Sequence, residues 1–174
     1  PLLTDKMLAA YYIKNRESFK IIHAVQLLAP FLENGRMISG MPSIESKVTA
    51  NENIENAYNT IKQNPAFPDI SPEMLKSIAA QNQDLAYTEM GYLTNQQTLP
   101  MEVSPEAYKL DYIQDSQGNR TTPLSYTVRE ITDSLFRQKE GSICAPVESP
   151  VGFHIILRLD SRYPTSWQSI KETL

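Results

Sequence analysis

Cysteine is almost absent: Cys144 is the one thiol in 174 residues. It can form no intrachain disulfide, and usage this low selects neither a reducing nor an oxidising compartment. Histidine is limited to His23 and His154, far apart in sequence. With no cysteine pair to join them they make a poor ligand set, so neither metal nor cofactor is expected. A glycine-rich phosphate loop, Gly-x-Ser-x-Gly and His-Glu-x-x-His are all missing. Lys and Arg number 16 against 20 Asp and Glu, a net charge of -4, and nowhere form a block that tracks a phosphate backbone. Nucleic acid is therefore not an expected partner, nor is a phosphorylated segment, which needs a basic cluster. No apolar run approaches the roughly 18 residues that cross a bilayer, and no charged and apolar leader opens the chain. The chain as given is expected not to span a membrane, with any anchor outside it. It begins at Pro1 and stops inside an expected helix, Ser166 to Leu174, so it is expected to be a piece of a longer protein.

What is present concentrates near the C-terminus. Ser134 to Asp160, SLFRQKEGSICAPVESPVGFHIILRLD, predicts a helix end, a turn through Gly141, a short strand from Ile143 to Glu148, a tight corner over Ser149 to Gly152, and a final strand from Phe153 to Leu159. Gly141 stands where a helix C-cap wants φ > 0, and Gly152 where a hairpin corner does. The run Phe153-His154-Ile155-Ile156-Leu157-Arg158-Leu159 is short and β-branched, which favours a central strand over a helix and carries His154 into the interior. Cys144 is expected to be a small, mostly buried residue.

Upstream, Thr4 is an N-cap candidate for an amphipathic helix to about Ser18. Phe19 to Ala29 is a second strong strand. Pro30 to Ala50, with its glycines, prolines and lack of period, predicts a loop. Ile54, Ala57, Tyr58 and Ile61 then fall at helical spacing over Asn51 to Gln63, and Asn64-Pro65 ends that helix. Ser71-Pro72-Glu73 supplies an N-cap, a proline at the first helical position and an acid in the first turn of a helix to about Gln81. Tyr108 to Gln114 alternates like a strand, residues 115 to 119 are turn chemistry, and Arg120 to Leu124 returns, a hairpin. Ser125 to Gln138 is a helix with Val128, Ile131, Leu135 and Phe136 inward. Asn119-Arg120-Thr121 matches a glycosylation acceptor, a triplet common by chance.

Gly141, Ser142, Ile143, Pro146, Val147, Ser149, Gly152, Phe153, His154, Ile155 and Ile156, in fixed order, resemble the C-terminal half of parvulin-type peptidyl-prolyl cis/trans isomerases. The resemblance extends to His23-Ala24-Val25-Gln26 as the first strand and to Glu89-Met90-Gly91-Tyr92-Leu93 as the second. It implies an α+β fold: a four-stranded, mainly antiparallel sheet from strands near 20 to 28, 90 to 94, 143 to 148 and 153 to 159, covered by helices. It divides the chain into a leading helix at 1 to 18, a parvulin-like domain at 19 to 160 with an insertion at about 97 to 125, and the start of a C-terminal helix at 161 to 174.

It further implies isomerisation of Xaa-Pro bonds in unfolded or exported clients, in the periplasm or cell envelope. A parvulin-fold chaperone or interaction surface with little or no turnover is the alternative. His23, His154 and Asp84 are the implied catalytic residues, the histidines side by side on central strands and neutral near pH 7. Asp84 matches the family's carboxylate or cysteine only loosely, because the loop before the second strand is short. Met90, Tyr92, Val128, Ile131, Ser149 and Phe153 are the implied substrate-binding residues. Val128 and Ile131 stand near the family's groove methionine and phenylalanine, leaving an apolar pocket less shaped to a proline ring.

Overall fold

The structure, a computed structural model, describes residues 4–39, 41–94, 113–115, 120–121, 131, 133–164 and 168. Its organising sheet has four strands in the order β4-β1-β8-β7, every neighbour antiparallel. These are β1 (Ile21–Pro30), β4 (Ala86–Thr94), β7 (Val147–Ser149) and β8 (Gly152–Arg162). The two central strands are the two most apolar runs of the chain, as burial on both faces requires. This is the α+β architecture expected from the sequence. The strand expected over 143 to 148 is shorter: Ile143 makes one isolated bridge to Leu157, and pairing resumes only at Val147. Pro146 carries no N–H for a ladder there.

Side-chain alternation divides the sheet into two faces. On one, Val25, Leu27, Ala29, Phe153, Ile155 and Leu157 pack with Ile54, Ala57, Ile61 and Leu75. The helices are α2 (Ile44–Gln63), capped by the Ser43 hydroxyl, and α3 (Pro72–Gln81), capped by Ser71 with Pro72 in its first turn. On the other face Ile22, Ala24, Met90 and Ile156 pack with Ile131 and Leu135 from the helical stretch at 131 and 133–137. Gly141, at φ 78, follows that helix as expected. The leading helix α1 (Asp5–Lys14) is capped by Thr4, buries Leu8 and Tyr12, and is followed by a 3-10 turn, Arg16–Phe19.

The segment 30 to 50 is not a loop. It holds β2 (Leu32–Glu33), β3 (Arg36–Ser39) and the first two turns of α2. Asn34 and Gly35 turn the hairpin with φ of 53 and 72. Met37 is buried, and the Ile38 N–H bonds the Phe31 carbonyl at 2.9 Å, which holds the hairpin to the domain. β3 also pairs, in parallel, with β5 (Ile113–Asp115), which pairs in turn with β6 (Arg120–Thr121). The hairpin expected over 108 to 124 thus has the rungs beside its turn, which extend a second sheet, β2-β3-β5-β6. Positions 108 to 112 and 122 to 124 of that expected hairpin lie outside the described residues, as does the expected C-terminal helix apart from residue 168.

Candidate functional site

His154 stands on β8 opposite Leu28 of β1 and Val147 of β7, and no part of it is exposed. The corner that delivers its partner is tight: Ser149 pairs with Gly152, with Pro150 and Val151 as the two loop residues. A Cβ on Gly152 would lie 2.3 Å from the Ala29 carbonyl oxygen, so only glycine lets the corner lie against β1. The Ser149 hydroxyl consequently sits 2.6 Å from His154 Nε2, and on the other side of the ring Gln26 Oε1 is 2.8 Å from Nδ1. Gln26 Oε1 only accepts, so Nδ1 carries the proton and Nε2 receives the Ser149 hydroxyl hydrogen. Ser149 Oγ in turn accepts the Val151 N–H at 3.3 Å. Burial holds the imidazole far below its ordinary range, at about 3, so it is neutral near pH 7.

Beside this trio lies the apolar patch of Met90, Ile131, Leu135 and Ile156, all at most 2 % exposed. Met90 and Ile131, both expected to line a groove, are brought together there. Thr88 pairs with Gln26 across β1 and β4; its hydroxyl is buried and has no hydrogen-bond partner among the described residues. Val128 lies outside the described residues, and Tyr92 stands on β4 opposite His23.

Three expected positions fall elsewhere. His23 does not adjoin His154: it is five residues from Leu28 along β1, roughly 16 Å at 3.3 Å per residue. Its Nδ1 is 3.2 Å from Asp160 Oδ1, where β8 places one extra residue opposite β1 between Ile22 and Ala24. The residue that faces His154 is Gln26, three positions further along β1. Phe153, adjacent to His154, necessarily points to the opposite face, edge-on to Phe31 with centroids 5.6 Å apart. Asp84 lies before β4, where its N–H takes the Asn82 side-chain oxygen at 2.9 Å, and it lines a polar cavity with Pro30 and the start of α2.

The PPIC-type PPIase, or rotamase, domain model matches residues 36–160. The chain belongs to this rotamase family. No curated protein matches it. Among solved structures it is similar to one from a study of two SurA-like chaperones of Campylobacter jejuni, at 16 % identity and a TM-score of 0.31, over 99 % of this chain and 53 % of that one. It is also similar to the peptidylprolyl isomerase PrsA of Bacillus anthracis, at 14 % identity and a TM-score of 0.39, over 98 % of this chain and 52 % of that one. The chain therefore spans about half the length of the solved structures it matches. The rotamase match begins beyond β1, yet β1 lies between β4 and β8 at the centre of the sheet.

The geometry fits a rotamase site that performs no covalent step. An imidazole held near 3 has too little proton affinity to activate the Ser149 hydroxyl at neutral pH, and Ser149 is itself only 4 % exposed. Serine, histidine and glutamine together are thus a positioning network and not a nucleophile with its base. Cys144 is equally unreactive: burial pushes its thiol up, and its sulfur accepts the Ile156 N–H at 3.2 Å. Gln26 was open to detection in the sequence as one of two polar residues, with His23, in the apolar run from Ile21 to Ala29. A fully buried amide needs a partner, and the interior histidine of the neighbouring strand is the one available. Thr88 gives no such signal, because threonine is ordinary on either face of a strand.

Proposed function

We propose that this chain is the isomerase domain of a folding factor and accelerates cis/trans exchange of Xaa-Pro bonds in polypeptide clients. The observation that carries the reading is the buried Gln26–His154–Ser149 network set against the apolar patch of Met90, Ile131 and Ile156 in a rotamase-family chain. Prolyl exchange is limited by amide resonance, a barrier of about 18–20 kcal/mol that leaves the uncatalysed step at tens to hundreds of seconds. A catalyst has only to bind the twisted amide better than either planar form, which demands a rigid apolar wall shielded from water. The neutral network supplies rigidity without placing a charge under the wall. His154 and Ser149 are positioning residues, and Met90, Ile131 and Ile156 are equally buried, so network and patch together form the rigid floor beneath the client-facing surface and none of them touches a client.

The working unit is taken as residues 19 to 160, with 1 to 18 leading into it. Action in the periplasm or cell envelope, on unfolded or exported proteins, rests on the likeness of the motif order to exported folding factors. A second reading, a client-binding module with little turnover, is favoured by one observation. Asp84, the loosely matched carboxylate, lies beyond the strand ends in a separate polar cavity.

NMR exchange spectroscopy on short Xaa-Pro peptides decides between them. The isomerase reading expects faster cis/trans exchange at catalytic amounts of protein, reduced at least tenfold by Gln26→Leu with the fold retained. Peptide shift changes without faster exchange would leave only the binding module standing.

A further inference from the structure

Among the described residues seven large apolar side chains are exposed, and six of them fall into two groups. Met7, Tyr11 and Ile13 stand on α1, while Met41, Ile44 and Val48 stand on or just before the first turns of α2. Each of the six is at least half exposed. Scattered apolar residues need no explanation, but clusters of them mark surfaces that another body covers. Neither group serves its own core. α1 turns Leu8 and Tyr12 inward, and α2 turns Ala50, Ile54, Ala57 and Ile61 inward, which leaves Ile44 and Val48 on the side away from the sheet.

The two groups differ in charge. Exposed Lys6 and Lys14 border the α1 group, exposed Glu45, Glu52 and Glu55 border the α2 group, and none of the five makes an ion pair among the described residues. Asp5, the acid of α1, lies half a turn round the helix from Lys14 and already has a partner. Lys47, the cation beside Val48, is taken by Glu148 at 2.5 Å. The spacings also correspond. Met7, Tyr11 and Lys14 form one stripe of α1, and Ile44, Val48, Glu52 and Glu55 form one stripe of α2. Laid side by side and parallel, Met7 and Tyr11 come against Ile44 and Val48, and Lys14 reaches Glu52 and Glu55.

Within one chain these faces do not meet. α1 sits where Ile21 pairs with Arg162, its Tyr12 hydroxyl donating to the Pro164 carbonyl at 2.6 Å. The start of α2 sits at the other end of β1, where Glu148, the partner of Lys47, pairs with Phe153, and Phe153 with Ala29. β1 separates the two by roughly 30 Å. We propose that the chain self-associates, the α1 face of one copy seating on the start of α2 of a second copy. Each copy offers one face of each kind, so a reciprocal contact closes a pair. A contact between two short helices belongs to the small, transient class of interface, and it weakens as salt screens its charges. Self-association of this kind is independent of prolyl turnover.

Sedimentation equilibrium of the purified chain over a series of concentrations and salt levels tests it. The dissociation constant is expected to rise about tenfold in Val48→Asp, which places a charge at the centre of the contact. Lys14→Glu, and separately the double variant Glu52→Lys with Glu55→Lys, should each weaken association by about fivefold at low salt. All these positions are exposed, and circular dichroism checks that the helices remain. Mixing the Lys14→Glu chain with the double variant restores opposite charges at both contacts of the pair, so the mixture should associate as tightly as the parent. A chain that stays monomeric throughout, or association that the variants leave unchanged, overturns the proposal. A mixture no tighter than its two components also overturns it, because the α2 face would then be covered by something other than α1.

Discussion

On the face of the main sheet covered by α2 and α3, Val25, Leu27, Ala29, Ile155 and Leu157 meet Ile54, Ile61 and Leu75, an apolar core. On the opposite face, the same strands carry Gln26 and His154 among Ile22, Ala24 and Ile156, and the polar groups are buried as completely as the apolar ones. One face is closed by hydrophobic contact alone, and the other fixes the positions of particular side chains at a cost in desolvation. An apolar core tolerates volume-conserving exchange, whereas a hydrogen-bonded trio accepts few substitutes. The difference teaches where stability resides and where geometry is specified.

Neighbouring residues on β8 let the two faces be weighed directly. Ile155→Ala, on the helix-covered face, is expected to destabilise by about 2–5 kcal/mol through lost burial and the cavity left behind. Chemical denaturation measures it; a cost below about 1 kcal/mol would mean that face is loosely packed. On the polar face, His154→Leu should cost about 2–4 kcal/mol, chiefly by leaving Gln26 Oε1 and the Ser149 hydroxyl buried without their partner. Adding Gln26→Leu should recover part of that loss, because removing both partners is cheaper than orphaning one. A double variant that costs the sum of the singles would show that the network is not coupled.

Acidification presses on the polar face alone. His154 has a folded-state value of about 3 against an ordinary 6.5, so below pH 6.5 the unfolded chain binds a proton that the folded chain refuses. Stability is therefore full above pH 6.5 and falls as pH drops toward 3, by about 1.4 kcal/mol per pH unit, or roughly 2 kcal/mol by pH 5. Urea midpoints between pH 7 and pH 5 measure this slope, and His154→Gln should remove it. A slope that persists in a folded His154→Gln protein would assign the loss to other groups.

The sequence exposed the helix-covered face more fully than the polar one. Helical spacing of Ile54, Ala57 and Ile61, the Ser71-Pro72 start of α3 and the apolar β8 run each carry a local signal. So does the Ser149–Gly152 corner. The β2–β3 hairpin also has one, Asn34-Gly35, whose positive φ values suit a two-residue turn. It is masked by the surrounding prolines and glycines, and by Ile44 and Val48, which lie exposed on the first turns of α2 and break the expected periodicity. The polar face depends on strand register, which no short motif encodes. One shift between Ala24 and Val25 against β4, and another between Ile22 and Ala24 against β8, determine which β1 side chain meets His154. A bulge relocates every residue beyond it.

His23 is where that register is most easily challenged. In the observed register His23 belongs to neither the helix-covered core nor the polar network. Its ring is 28 % exposed and its partner Asp160 61 % exposed, an arrangement in which solvent screens most of the attraction. His23→Ala should then change stability by no more than about 0.5 kcal/mol, and its effect should add to that of His154→Leu without coupling, as for sites more than about 10 Å apart. A loss of about 2 kcal/mol or more, together with non-additivity toward His154, would bring the two histidines side by side and slide β1 by three residues against β8. Gln26 would then leave the network. Such a slip would also turn the alternating faces of β1 over, moving Val25 and Leu27 out of the core beneath α2 and α3 and onto the polar face.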